Sequence, residues 1–147
     1  MSQSEAGQEP SSGLVAPAPA ATCRIGVFGI GLAAYWSQFP GLHERLEGYQ
    51  KEVEKRLSSF GAEVISAGLI DDASRASQAG LLFAGKDLDL LFCYVGTYAT
   101  SSQVLPIVQQ AKLCVLVLNL QPTEGLDYEN TDTGEFPLVP KEQIYIL

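Results

Sequence analysis

A chain of 147 residues has room for one hydrophobic core and not two. With 46% apolar and 18% charged residues it has the composition of a globular domain, which excludes a fibre or full-length disorder. The net charge of -8 lies mostly at the ends: residues 1–21 hold Glu5 and Glu9 and no base, and residues 122–147 hold six acids against Lys141. The hundred residues between them are nearly neutral. No basic stripe is present to displace counterions from phosphates, so nucleic-acid binding is not expected. The longest apolar run, Leu113–Leu118, falls far short of the roughly 20 residues that cross a bilayer, so no membrane span is expected. Three cysteines without a CxxC pair suit a reducing compartment. The amino terminus lacks the charged start and apolar middle of a secretory signal, and a cytosolic location follows as the expectation.

Residues 1–23 are rich in Ala, Pro, Ser and Gly and read as a disordered leader. A domain is expected over residues 24–122. It opens with a strand from Arg24 through Ile25, Val27 and Phe28, ended by Gly29 and Gly31. After a loop to Pro40, Leu42, Leu46, Tyr49, Val53, Leu57 and Phe60 recur at helical spacing, and Gly61 ends that helix. Residues 62–66 (AEVIS) predict a second strand. Asp71 or Asp72 then caps a second helix with Ala73, Ala76, Ala79, Gly80 and Phe83 inward, small enough to pack close to the sheet. Asp87 to Val95 is nearly continuous apolar sequence and predicts a central third strand. Thr100, Ser101 or Ser102 caps a third helix with Val104, Val108 and Ala111 inward, where Pro106 is tolerable only near the first turn. Leu113 to Leu118 predicts the fourth strand. Strands alternating with helices through short connections call for an open, mostly parallel four-stranded sheet with helices on both faces. This is an α/β three-layer sandwich of the Rossmann or flavodoxin kind. Residues 123–147 read as an irregular acidic tail, with a loose edge strand at Gln143 to Leu147.

Ligands of such sheets bind beyond the carboxyl ends of the strands, here the loops after Phe28, Ser66, Val95 and Leu118. The first (GIGLAAYWSQFPG), third (GTYATSS) and fourth (NLQP) contain hydroxyls, amides and aromatics and no ionisable Lys, Arg, His, Asp or Glu. Such a neutral lining is able to bind a polyol but offers no group for proton transfer. Gly29, Gly31 and Ala34 fit the dinucleotide fingerprint G-x-G-x-x-A. Against it, Tyr35, Trp36 and Pro40 delay the helix, and strand two ends in Ser66 and Ala67 where an acid should hold a ribose. On the other reading the two glycines only let the chain turn. His43 stands alone and builds no metal site, and Cys93 lies in the most apolar strand, where it reads as a core residue. No G-x-S-x-G elbow or Walker loop occurs.

The run VGTYATSSQVLPIVQQAKLCVLVLNLQP, with FGIGLAAYWSQFPGLHERLEGY before it and GLDYENTDTGE after it, resembles the N-terminal domain of the L-fucose and L-arabinose isomerase superfamily. The resemblance covers about Arg24 to Glu135. It implies a ketol isomerase that interconverts an aldose and a ketose with a divalent metal, typically manganese, in a homo-oligomer where this domain covers a neighbouring active site. By matched segment it implies substrate contacts at Tyr98 and Gln121, and a first loop facing the sugar at Tyr35, Trp36 and Gln38. It implies no metal ligand and no catalytic residue within this chain, because those belong to later domains. After Glu135 the sequence FPLVPKEQIYIL departs from the family. The expectation is a truncated member, inactive alone, that binds a monosaccharide and acts with further domains or copies. A noncatalytic sugar-binding or assembly module and a Rossmann-type nucleotide binder are the alternatives.

Overall fold

The computed structural model describes residues 22–121 and 145–146. The leader expected over 1–23 and the tail expected over 123–147 therefore fall outside the described residues, apart from 22–23 and 145–146. Four parallel strands form the sheet: β1 (Arg24–Ile30), β2 (Glu63–Ile70), β3 (Leu90–Val95) and β4 (Val115–Leu118), in the order β2-β1-β3-β4. The expected α/β class and parallel sheet are what the chain adopts. Residues Ile25 to Ile30 of β1 are buried, as an inner strand covered on both faces requires.

From β1 the chain crosses to one side to make β2, then back over β1 to make β3. Right-handed crossovers therefore place α1 (Leu42–Ser59) on one face and α2 (Ala73–Ala84) and α3 (Ser101–Ala111) on the other. On the α1 face Leu42 and Leu46 pack with Leu69 and Tyr94. The opposite face is drier, with Phe28, Ile70, Phe83, Leu91 and Ile107 almost fully buried. Phe28 and Phe83 meet there at 6.1 Å between ring centroids. Burial pushes the thiol of Cys93, on this face, up to about 11, in keeping with a core role.

Several boundaries differ from the sequence reading, each for a local reason. β1 runs through Gly29 to Ile30, and neither Gly29 nor Gly31 adopts a positive φ, so these glycines do not turn the chain. They make room: a Cβ at Gly29 would lie 2.5 Å from Gln50 Oε1, and one at Gly31 would lie 2.7 Å from the Trp36 ring. β2 does not stop at Ser66. Val27 pairs with Ser66 but Phe28 pairs with Gly68, so Ala67 is an extra residue in a bulge. Gly68 takes the left-handed φ of 72° that the bulge needs, and its N–H bonds Ser66 Oγ at 3.2 Å. The strand then resumes to Ile70.

Asp72, rather than Asp71, caps α2, accepting from Arg75 N–H at 2.8 Å. Of the small residues expected inward, Ala76, Ala79, Gly80 and Phe83 are buried and Ala73 is exposed. The close approach at Gly80 is to α3 rather than to the sheet, because the Pro106 carbonyl would lie 2.7 Å from a Cβ there. Thr100 caps α3, whose buried residues are Gln103 and Ile107; Val104 and Ala111 pack beside them, and Val108 is only partly buried. Pro106 stands in the second turn of α3, where the missing N–H leaves the Ser102 carbonyl without its helical donor. Phe60 does not continue the buried face of α1. It is 76% exposed, with the Arg56 guanidinium 5.8 Å from its ring centroid. Beyond Asn119, Leu120–Gln121 forms β5, which pairs antiparallel with β6 (Tyr145–Ile146), so the NLQP segment is not an open loop and part of the expected terminal strand exists.

Candidate functional site

The strand order reverses between β1 and β3, the switch point where open α/β sheets place their ligand crevice. The first loop (31–41) and third loop (96–100) are held to a fixed spacing by side chains. Leu32 N–H donates to Thr97 Oγ1 at 3.0 Å, and the Thr97 hydroxyl donates to the Tyr98 carbonyl at 2.9 Å. Beside them lies Gln103, 3% exposed at the start of α3. Its Nε2 donates to the carbonyls of Gly31 (2.9 Å) and Asp71 (2.7 Å), and its Oε1 accepts from Thr100 N–H at 2.6 Å. Two carbonyls on one side and an N–H on the other leave the amide a single orientation. The last bond is the backward arm of a T-x-x-Q capping box.

The site residues expected from sequence are not equivalent. Tyr98 is 67% exposed, and among the described residues its ring and hydroxyl have no partner. Trp36 is occupied: its ring covers Gly31, meets His43 edge-on at 5.0 Å, and its Nε1–H donates to Asp71 Oδ2 at 2.9 Å. Tyr35 packs edge-on against Phe39 at 6.1 Å in the α1-side cluster. Gln38 is exposed, and its amide donates to the Ala34 carbonyl at 2.8 Å within its own turn. The backbone of Gln121 pairs with Tyr145 in β5, while its side chain lies outside the described residues. Leu120, one residue before, packs against the same cluster of Leu42, Leu46, Leu69 and Tyr94 as Tyr35 and Trp36, so the fourth segment arrives on the α1 side of the sheet. The structure thus brings Trp36, Thr97 and Gly31 together with Tyr98 on the adjoining loop, and turns Tyr35 and Gln38 to local packing.

Because β2 extends to Ile70, its end is followed by an acid, and the lining of the strand ends is not wholly neutral. Asp71 Oδ2 accepts from Trp36 and Oδ1 from Arg75 Nη1 at 3.1 Å. Burial would raise the pKa of this carboxyl, but the two hydrogen bonds outweigh it and hold it below its ordinary 3.8. The objection to a nucleotide site that no acid follows strand two is therefore overturned. The other objection stands in the geometry. Gly29 lies within β1, a short 3₁₀ turn (Ala33–Tyr35) follows, and α1 begins only at Leu42, so no helix N-terminus meets the glycines. Asp71 also has both oxygens engaged.

The hydroxyls of Thr100 and Ser102, 2.7 Å apart, lie on the exposed side of the third loop with Tyr98. An exposed aromatic ring beside several hydroxyls can stack on the apolar face of a polyol and exchange hydrogen bonds with it. The residues present do not fit a manganese centre. Asp71 is engaged by Trp36 and Arg75, Asp72 caps α2, His43 stands 4.0 Å from Glu47, and no group of three or more His, Cys, Asp or Glu converges among the described residues. Among the described residues no helix is long and apolar enough to cross a membrane.

Gln103 and Asp71 were missed in the sequence. The T-x-x-Q signal at 100–103 marked the first, whereas the second was hidden by a glycine bulge that imitates a strand end. Comparison of the chain with protein-family models and with curated proteins matched none.

Proposed function

We propose that this chain forms the substrate-covering domain of a sugar ketol isomerase of the L-fucose and L-arabinose type. The metal and the acid–base pair that shift a proton between neighbouring carbons would be supplied by other domains. The observation that carries the reading is Tyr98, an exposed aromatic ring with no partner among the described residues, on the same short loop as the hydroxyls of Thr97 and Thr100 at the switch point of the sheet. The segments that resemble the family, the first loop, the third loop and the start of the fourth, converge on this end of the sheet. The same reading makes the protein a cytosolic member of an oligomer.

The test is a titration of the isotopically labelled chain with L-fucose, L-arabinose and NAD. Amide shifts that saturate at residues 97–102 with a sugar and stay fixed with NAD are expected. Equal indifference to all three ligands, or turnover of an aldose by this chain alone with manganese, would remove the reading. A second reading, an assembly module without catalysis, is favoured by β4, the last strand of the sheet order, where Leu116 is 46% and Val117 66% exposed. Among the described residues no strand pairs with the outer side of β4, and an apolar edge of this kind is normally covered. Sedimentation as a monomer at all concentrations would count against both assembly and oligomer.

A further inference from the structure

We infer that Gln103 is the positioning residue of this site: its amide fixes the distance between the first loop, which carries Trp36, and the third loop, which carries Tyr98. The inference rests on the reading that this end of the sheet binds a sugar. Gln103 takes an inward position of α3, one turn before the buried Ile107, where an apolar residue would ordinarily sit. A buried amide is costly unless its hydrogen bonds are made, and here both N–H donors and the oxygen are used, reaching three different segments. One goes to the first loop at Gly31, one to the end of β2 at Asp71, and one to the third loop at Thr100. The residue whose carbonyl Gln103 holds, Asp71, is also the one whose carboxylate holds the Trp36 indole. A continuous polar chain therefore runs from Trp36 through Asp71 and Gln103 to the loop of Tyr98. Among the described residues the one other side-chain tie between the two loops is the bond from Leu32 to Thr97. An apolar side chain at 103 would fill the space but leave the Gly31 and Asp71 carbonyls without donors, and the loops would be held by the Leu32–Thr97 bond and the Gly96 and Thr97 N–H bonds to the Ile30 carbonyl, with looser spacing beyond them.

Trp36 is the single tryptophan of the chain, so its emission reports the first loop alone. The experiment compares wild type, Gln103→Met and Gln103→Glu by tryptophan emission from pH 8 to pH 4.5, with circular dichroism to verify folding and a titration with L-fucose. Gln103→Met is expected to red-shift Trp36 at every pH and to weaken sugar binding by about tenfold, the usual scale for leaving buried partners unpaired. Ionised Gln103→Glu faces two carbonyls with no proton to give, and is red-shifted at pH 8. On protonation it donates to one carbonyl, so its emission moves back toward wild type as pH falls, a reversal that a purely space-filling role would not produce. The titratable and charged groups that face this chain and the Trp36 ring, Asp71, Arg75 and His43 with its neighbour Glu47, are present in all three proteins, and the wild-type and Gln103→Met curves subtract their contribution. Should the variants fail to fold, wild type itself decides: the Gln103 side-chain amide protons should exchange at least about tenfold more slowly than those of exposed Gln109. Exchange as fast as at Gln109, or Trp36 emission unchanged in both folded variants, overturns the inference. If wild type binds no sugar the functional reading fails, while emission and exchange still judge the role of Gln103.

Discussion

The two ends of the parallel sheet are tied by different chemistry. At the amino end Arg24 grips both oxygens of Glu63 at 3.0 and 3.1 Å, reaches the Asp87 carbonyl at 2.7 Å, and gives its backbone N–H to Asp89 at 2.7 Å. These groups meet water, and the guanidinium holds the Glu63 carboxyl below its ordinary range. At the carboxyl end three segments are joined instead by the buried, neutral amide of Gln103, with Trp36 and Asp71 beside it. An exposed ionic clasp trades its partners for water at little cost and weakens in salt. A buried amide cannot. Its use at the carboxyl end ties the loops while leaving the Tyr98 ring exposed, with the hydroxyls of Thr97, Thr100 and Ser102 engaged within the loop and the start of α3.

The contrast is broken most strongly by crowding the carboxyl end. In Gly31→Val the new side chain must displace the Trp36 ring, and with it the hydrogen bond to Asp71. A loss of about 1–3 kcal/mol in urea unfolding is expected, with red-shifted Trp36 emission. A stability equal to wild type would mean that the indole does not sit on Gly31. Trp36→Phe is the milder form: it keeps a smaller ring and removes the Nε1–H donor, for an expected cost of about 1–2 kcal/mol.

That second variant also fixes a pH dependence. The folded-state pKa of Asp71 is depressed, so its contribution is fully present above its ordinary 3.8 and is lost as pH falls through the lower folded value. Wild type should therefore lose stability over the acid side of that value. Trp36→Phe, with only Arg75 left on the carboxylate, should show a smaller acid-dependent loss in the difference between the two unfolding curves. Parallel curves down to pH 2 would show that the indole bond does not act on Asp71. The amino end should respond more weakly. Arg24→Met is expected to lower the melting temperature slightly at low salt and hardly at all at 1 M, whereas the effect of Trp36→Phe should persist in salt.

These effects follow from parts of the molecule that were unequally legible in its sequence. Strands in continuous apolar runs and the Ala76, Ala79, Gly80, Phe83 face of α2 announce themselves, because burial on a regular period leaves a pattern in residue type. The end of β2 does not. Ser66, Ala67 and Gly68 have the composition of a turn, yet they build a bulge, and the strand's true end at Ile70 moves Asp71 into the site. Polar residues in the interior escape the pattern for the opposite reason. Gln103 occupies a position that periodicity assigns to an apolar side chain, and its value lies in partners 32 and 72 residues away in sequence. Aromatic residues of the first loop were visible as a group, but nothing local distinguishes Trp36, engaged with Asp71, or Tyr35, packed on Phe39, from the exposed ring of Tyr98.

Tyr98 is accordingly where stability and binding should separate most clearly. With two-thirds of its surface exposed and no partner among the described residues, it contributes almost nothing that folding could lose. Tyr98→Ala should unfold within about 0.5 kcal/mol of wild type, the smallest change in the series. Sugar-induced shifts at Thr97, Thr100 and Ser102 should nevertheless vanish, since the apolar face of a pyranose loses the ring it stacks on while the hydroxyls stay in place. Tyr98→Phe retains the ring and should bind nearly as well as wild type. If Tyr98→Ala instead destabilises the fold by more than about 1 kcal/mol, the ring is a packing element and the carboxyl end has no free recognition surface. If it binds sugar undiminished, the hydroxyls act without it. The contrast between a clasped amino end and an open carboxyl end therefore turns on one exposed ring, whose loss should be silent in every measurement of stability and decisive in the titration.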